Sequence, residues 1–555
     1  MSVEVRLGQS PTEVSSIVSA LVADRVASRL FAQDATLWGP DAEAEASIRL
    51  GWTEVWGRAA ELIPAIDDLR AKLRGDGVDR VVLCGMGGSS LAPEVIASWA
   101  SVPLVVLDST HPEQVRRALE GDLSRTVVVV SSKSGSTIET RSHRAAFEAA
   151  FRSAGIDPAS RVVIVTDPGS PLEESATAAG QRVFRADPNV GGRYSALTAF
   201  GLVPAGLAGA DLRTLVSEAE SVRELLSADD EGNPALQLAA TLAAGLPRRY
   251  ALAIASSPDA RWGLGDWIEQ LVAESTGKDG RGVLPVVLPS SAPELSGALP
   301  DSALLMTVAA DADPHEPVSE AATFDSEGAG GIGVVGPLGA QLLLWEAATA
   351  VLGRLMGIDP FDQPDVESAK VAAREVLSSG ATRPEALGVL EDPAGAEVLA
   401  APEGRPAESA ADLVSRLRDS VSPDGYVAIQ AYLDREGAAV RPLRALRDGL
   451  AALLGVPVTL GWGPRFLHST GQLHKGGPAT GVFVQLIDDA EPDVGIPDSD
   501  SGFGTLISAQ AEGDRGVLAE HGRPVLALRS ADAAALADAL AGAVSAENQT
   551  GASEA

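Results

Sequence analysis

Glycine, serine and threonine crowd into two short stretches of this sequence, VVLCGMGGSSLAP at 81–93 and TVVVVSSKSGSTIET at 126–140. In each, a run of β-branched residues stops at Gly and Ser and passes into a segment that can form a helix. A strand, loop and helix in that order turn backbone N–H groups and a helix N-terminus toward an anion. Gly85, Gly87 and Gly88 let the backbone approach without a Cβ in the way. Ser89, Ser132, Ser134, Ser136 and Thr137 add hydroxyls, and Lys133 adds a positive charge. One Gly-rich turn says little. Two on strands of one sheet, the second with hydroxyls from Ser131 to Thr137 around a lysine, predict a phosphate grip.

Four further segments carry groups with chemistry to offer. In GGRYSALTAFGL (191–202), Arg193 follows two glycines. A guanidinium on a tight turn can brace an oxyanion or enediolate, although a helix-starting turn with a surface Arg reads the same way. In WIEQLVAESTGK (267–278), Glu274 follows a helix face of Trp267, Ile268, Leu271 and Val272. A carboxylate at that junction suits a general base; a solvated helix-end Glu is the plain alternative. In DPFDQPDVESAK (359–370), Pro360 and Pro364 make a rigid turn that leads to Lys370. In FLHSTGQLHKGGP (466–478), His468 and His474 are two of only six histidines, the side chain best suited to proton transfer near neutral pH. No Cys or Asp accompanies them and no HExxH pattern occurs, so a metal site is not expected.

The formal charge of −33 disfavours nucleic acid and anionic membranes as partners. It also means that any cations for a phosphate must be placed locally. Of 43 basic residues only five are lysines, at 72, 133, 278, 370 and 475. Four of these sit in the segments just described, and Lys differs from Arg in being a compact charge that can give up a proton. The single Cys84 rules out a disulfide framework and predicts a reducing, cytoplasmic setting. The N-terminal stretch lacks a basic region followed by an apolar core, so no signal peptide is expected. The longest apolar run, 331–356, is broken by Pro337, Glu346 and Arg354 and reads as a strand, a turn and a buried helix.

The elements that must position these residues follow from periodicity. Helical spacing at 12–33 and 42–73 predicts an N-terminal helical segment over 1–75. Strands alternate with helices over 76–205 (81–84, 102–108, 126–132, 161–166, 182–185), the pattern of a doubly wound parallel sheet that binds ligands at the carboxyl ends of its strands. A second α/β unit spans 206–375. A connector of intermittent periodicity covers 376–425, and a C-terminal α/β unit at 426–545 carries the histidine loop. Residues 546–555 are expected to be disordered.

Taken together, GMGGSSLAP, SSKSGSTIET, GGRYSALTAFGL, QLVAESTGK and FDQPDVESAK resemble, in order, the signature segments of the phosphoglucose isomerase family. FLHSTGQLHKGG resembles its histidine segment, closest to the isomerase half of bifunctional transaldolase/glucose-6-phosphate isomerases. The resemblance implies an α/β fold of two doubly wound sugar-isomerase (SIS) domains with N-terminal helices and a C-terminal α/β extension. It implies a cytoplasmic enzyme of glycolysis that interconverts glucose and fructose 6-phosphate with no metal or organic cofactor. A homodimer is implied too, or a monomer if the C-terminal unit plays the neighbouring subunit's part and His474 acts in cis. By resemblance, Ser89, Ser132, Lys133, Ser134 and Thr137 hold the phosphate, with Gly88 beside it. Glu274 is the base, Gln270 and Gln363 contact sugar hydroxyls, and Arg193 stabilises the enediolate. Lys370 and His474 assist ring opening, with Glu139 orienting His474. The family's usual order places the histidine before the lysine. Here Lys370 precedes His474, and His315 occupies the expected interval in DADPHEPVSE. A dual-specificity phosphoglucose/phosphomannose isomerase and a non-catalytic SIS-domain sugar-phosphate sensor remain as alternatives.

Overall fold

The chain's first strand, β1 (Glu4–Leu7), comes before the expected N-terminal helices, which lie at Thr12–Ala23, Val26–Phe31 and Trp56–Gly75. In the computed structural model the described residues are 2–7, 12–260, 262–297, 299–310, 331–379, 385–393, 395–401 and 407–554, the side chains of 259, 366–370, 378–379 and 551–554 excepted. They divide into two compact units, 1–108 with 118–285 and 304–362, and 109–117 with 286–303 and 363–555.

Valine-rich runs build the first unit's phosphate-loop sheet. Strands β2 (Arg80–Gly85) and β4 (Thr126–Ser131) are almost wholly buried, as parallel strands covered by helices on both faces must be. They join β3 (Val105–Leu107), β5 (Val162–Thr166) and β6 (Arg182–Arg185) in the order β3-β2-β4-β5-β6, every pair parallel. The order reverses between β2 and β4, and this is the switch point at which open α/β sheets leave a crevice for ligand. Helices α1 (Leu91–Trp99) and α2 (Ile138–Ser153) follow these two strands. The second sheet runs β1-β10-β9-β7-β8, with β7 at Ala251–Ser256, β8 at Leu284–Val287, β9 at Ala303–Ala309 and β10 at Ile332–Val335. Its neighbour in sequence is α3 (Leu264–Thr276), which carries the Glu274 segment. β1 joins this sheet antiparallel to β10. Four residues with an exposed–half-buried pattern carry too little periodicity to announce a strand; the partner edge decides it.

In the second unit, α4 (Pro364–Ser379) begins at a proline, whose fixed φ suits a first helical turn. The stretch expected to be a loosely structured or helical connector contributes β11 (Gly388–Val389), β12 (Glu397–Ala400) and a helix at Ala410–Ser420. With β13 (Tyr426–Tyr432), β14 (Val458–Trp462), β15 (Gly481–Ile487) and β16 (Val525–Arg529) these strands form a sheet ordered β11-β12-β16-β15-β13-β14. The last four are parallel to their neighbours and β12 is antiparallel to β16. Val427, Ile429 and Ala431 of β13 and Val482, Val484 and Leu486 of β15 enter one apolar core. The alternate residues Tyr426, Gln430, Tyr432, Phe483 and Gln485 occupy the other face and are equally buried. Helices α5 (Gly471–Gly476) and α6 (Phe503–Glu520) complete the unit, and a final helix runs from Ala533 to Glu554. That helix corrects the expected disordered tail. Its polar residues reach neighbouring elements, as Asn548 does by donating to the Gly449 carbonyl at 3.2 Å.

Candidate active site

Gly85 at the end of β2 pairs in register with Ser131 at the end of β4, so the two hydroxyl-bearing loops leave adjacent strands side by side. The first loop makes one 3₁₀ turn over Gly87–Ser89 and leads into α1. Its glycine at 88 is required by packing: a Cβ there would collide with the Gly192 carbonyl oxygen. This loop therefore lies against the turn that presents Arg193. The second loop folds on its own hydroxyls. Ser132 Oγ donates to Thr137 Oγ1 at 3.2 Å and accepts from the Gly135 N–H at 3.2 Å, while Ser134 and Ser136 share a hydrogen at 2.8 Å. Gly135 has φ +69°, and a Cβ there would come within 2.7 Å of Leu172 Cβ. Thr137 caps α2 in extended conformation without using its side chain on the helix, so the first-turn N–H groups and the positive end of the macrodipole face outward from the loop. Lys133 Nζ lies 2.5 Å from Asp167 Oδ2. Burial pushes the Asp167 carboxyl up and Lys133 opposes that shift. The lysine's charge is thus held in place at the loop by Asp167 and by the Pro188 carbonyl at 3.4 Å.

The Arg193 turn also packs against α3, and there the guanidinium is almost entirely enclosed. Its Nε donates to Ser275 Oγ at 2.8 Å, and Nη2 donates to the carbonyls of Pro360 at 2.7 Å and Asp362 at 2.9 Å. Nη1 faces Glu274 Oε1 at 3.2 Å. Gln270, one helical turn before Glu274, donates Nε2 to Oε2 of the same carboxylate at 3.1 Å. Glu274 is 6% exposed and sits in the last turn of α3, where the macrodipole disfavours negative charge. The guanidinium offsets both penalties. Tyr194 stacks on Trp52 at 5.4 Å and places its hydroxyl 3.3 Å from Ser275, fixing the far side of the network. A carboxylate so held can accept a proton from carbon, with a cation beside it for the charge that results.

The other expected residues are placed differently. Glu139 is buried in the first turn of α2, and Gln363 is exposed directly before α4. Lys370 lies on α4, but its side chain is outside the described residues, as is all of His315. Gln472 ties α4 to α5 by accepting from the Asp365 N–H at 2.9 Å and donating to Asp365 Oδ2 at 2.7 Å. His474, on α5, is sealed at 2% exposure. It stacks on Tyr426, meets Phe483 and Phe466 edge-on, and places Nδ1 3.1 Å from the Tyr426 hydroxyl. Burial, with Lys475 and Arg523 nearby, pushes its pKa down to about 3. Its Nδ1 therefore faces a tyrosine inside an aromatic enclosure that disfavours the protonated ring. Sequence reasoning passed over Ser275 and Tyr194 and marked Lys278 only by the rarity of lysine. The ESTGK run held the signal for the first and last of these. Among the described residues, no group of three or more His, Cys, Asp or Glu side chains could hold a metal ion, and no helix is long and apolar enough to cross a membrane.

The doubly wound sheet, with both loops at its switch point and the carboxylate helix packed on the arginine turn, places the molecule among the α/β proteins of the sugar-isomerase class. A family model described as phosphoglucose isomerase matches residues 55–282. A probable glucose-6-phosphate isomerase of Haloarcula marismortui is 30% identical over 355 residues, covering 55% of this chain and 79% of the relative. A glucose-6-phosphate isomerase of Thermus thermophilus is 31% identical over 353 residues, covering 54% and 84%. The crystal structure of a hypothetical protein, also from Thermus thermophilus, superposes with a TM-score of 0.57 at 26% identity, covering 67% of this chain and all of that one. The chain belongs to the phosphoglucose isomerase family.

Proposed function

We propose that this chain is a glucose-6-phosphate isomerase that interconverts glucose 6-phosphate and fructose 6-phosphate through a cis-enediol. The observation that carries this reading is the buried Glu274 carboxylate, held by Arg193 and Gln270 on a turn packed against the Ser89 loop. The phosphate sits between the two loops, on Ser89, Ser132, Ser134 and Thr137 and the first N–H groups of α2, with Lys133 turning from Asp167 toward it. Glu274 takes the C2 proton of the open-chain aldose and returns it to C1, while the O2 hydroxyl gives up a proton and O1 gains one. Arg193 Nη1, already aimed at the carboxylate, stabilises the enediolate between those steps. Gln270 and Gln363 hold sugar hydroxyls. Lys370 assists ring opening, and the enclosed ring of His474 fits a packing role better than proton transfer. No metal takes part. The protein works in the cytoplasm as a homodimer, a state that a solution mass measurement tests.

A coupled assay of the purified protein on glucose 6-phosphate and mannose 6-phosphate, with and without chelator, tests this reading. Turnover of the glucose substrate that survives chelator is expected. Comparable turnover of both would make the enzyme dual-specific, and binding without turnover would make the chain a sugar-phosphate sensor. Activity lost to chelator and restored by a divalent ion would overturn the metal-free mechanism.

A further inference from the structure

Lys278 follows the base helix by two residues and is 4% exposed. Its ammonium donates to the Asp359 carbonyl and lies 2.5 Å from Asp362 Oδ1. Both partners belong to the 359–362 turn, the same turn whose Pro360 and Asp362 carbonyls receive Arg193 Nη2. Inside the turn, the Phe361 N–H donates to Asp359 Oδ1 at 2.8 Å. The Phe361 ring is anchored edge-on to Trp38 at 4.8 Å and tilted against Tyr194 at 5.4 Å. Two buried cations therefore grip one short turn: Arg193 by its carbonyls, Lys278 by a carbonyl and a carboxylate. If the lysine lets go, one of the two cations on the turn is lost, and the carbonyls that aim Arg193 Nη1 at Glu274 are held less firmly.

We propose that Lys278 is a positioning residue for the isomerisation: by holding the 359–362 turn against Arg193, its ammonium fixes the guanidinium's approach to Glu274 and to the enediolate. The proposal rests on the glucose-6-phosphate isomerase reading above. The charge on Lys278 is poorly supported for so buried a group. Burial, then repulsion from Arg193, pushes its pKa down to about 8, against the attraction of Asp362 and Asp359. On its own turn lie Asp279 and Arg281, the latter donating to the Met356 carbonyl. A lysine that loses its proton just above neutral pH releases the turn there, and the reaction should weaken with it.

The test compares wild type, Lys278→Met, Lys278→Arg and Asp362→Asn for kcat, KM for glucose 6-phosphate and melting temperature, from about pH 6 to about pH 10. Wild type should show an alkaline fall in kcat centred near pH 8. Lys278→Met should lower kcat roughly 10- to 100-fold at neutral pH with KM within about twofold, the signature of misplaced rather than missing chemistry. Lys278→Arg, charged throughout, should recover most of kcat and lose the alkaline fall. Asp362→Asn, which removes the attracting carboxylate, should move the fall to lower pH. An unchanged kcat in a folded Lys278→Met, or an unchanged alkaline fall in Lys278→Arg, overturns the proposal. If Lys278→Met does not fold, the arginine and asparagine variants decide by their pH profiles alone. A wild type that does not isomerise glucose 6-phosphate overturns the functional reading and this proposal with it, whereas an active wild type with an indifferent Lys278 overturns only the proposal.

Discussion

Two regions of this molecule bury a titratable side chain that could move a proton, and they treat it in opposite ways. Glu274 is enclosed with a guanidinium at 3.2 Å and a carboxamide at 3.1 Å. His474 is enclosed by Tyr426, Phe466 and Phe483, with cations as its nearest charges, so its charged form is driven out. Burial alone is therefore no sign of function. What separates a poised group from a packed one is whether its neighbours stabilise the ionic state that the chemistry needs.

The sharpest break of that contrast is Glu274→Gln. It keeps the shape and the Gln270 side of the network, and kcat should fall roughly 10²- to 10⁴-fold with KM little changed, as steady-state assays would show. Exchange of the C2 proton with solvent should fall in parallel, and exchange at the wild-type rate would move the base elsewhere. Arg193→Ala comes next. It removes the cation from a buried carboxylate and the clamp from the 359–362 turn, so kcat should drop roughly 10²- to 10³-fold. A lower melting temperature should accompany it, because breaking a buried pair from one side costs roughly 3–5 kcal/mol. Lys133→Ala should act on binding: KM should rise on the order of tenfold with kcat nearly kept, since the phosphate does not change during the reaction. A selective loss of kcat would instead put Lys133 in the chemistry.

The smallest effect on turnover belongs to the other region. His474→Phe should leave kcat within about threefold of wild type at neutral pH, the outcome expected of a ring that packs rather than transfers a proton. Its effect should appear in acid stability. The folded-state pKa lies at about 3, below the unfolded value of 6.5, so the unfolded chain binds a proton that the native state refuses. Stability therefore falls as pH drops from 6.5 toward 3, by on the order of 5 kcal/mol for this group alone. His474→Phe should flatten that part of the stability curve measured by denaturant melts. An unchanged acid slope, or a collapse of kcat, would show that the histidine is not the neutral packing residue described here.

Local pattern made much of this legible. The Val-rich runs of β2 and β4, ending in Gly and Ser, announced both loops because strand burial and Gly backbone freedom act over a few neighbouring residues. Glu274 was legible at the end of the Trp267, Ile268, Leu271 and Val272 helix face because that spacing repeats the turn, whereas Gln270 entered only through the family resemblance. β1 and β16 escaped because short strands depend on the edge they join. The 376–425 stretch escaped because its hydrophobic spacing is intermittent until β12 pairs with β16. Lys278 was noticed for its rarity, but its place in the network could not be read, since its partners come 81 and 84 residues later in the chain.

By itself, then, the sequence determined which groups this protein owns: the hydroxyl loops, a carboxylate at a helix end, an arginine behind two glycines and a histidine-bearing segment. It also determined the family, because those short motifs are set by local backbone geometry. The tertiary structure alone decided what each group is next to. It put Arg193 on Glu274 rather than on the surface, tied Lys133 to Asp167, and closed three aromatic rings around His474. Proton affinity depends on desolvation and on charges a few ångströms away, and chain positions far apart in sequence reach those distances only when the fold brings them there.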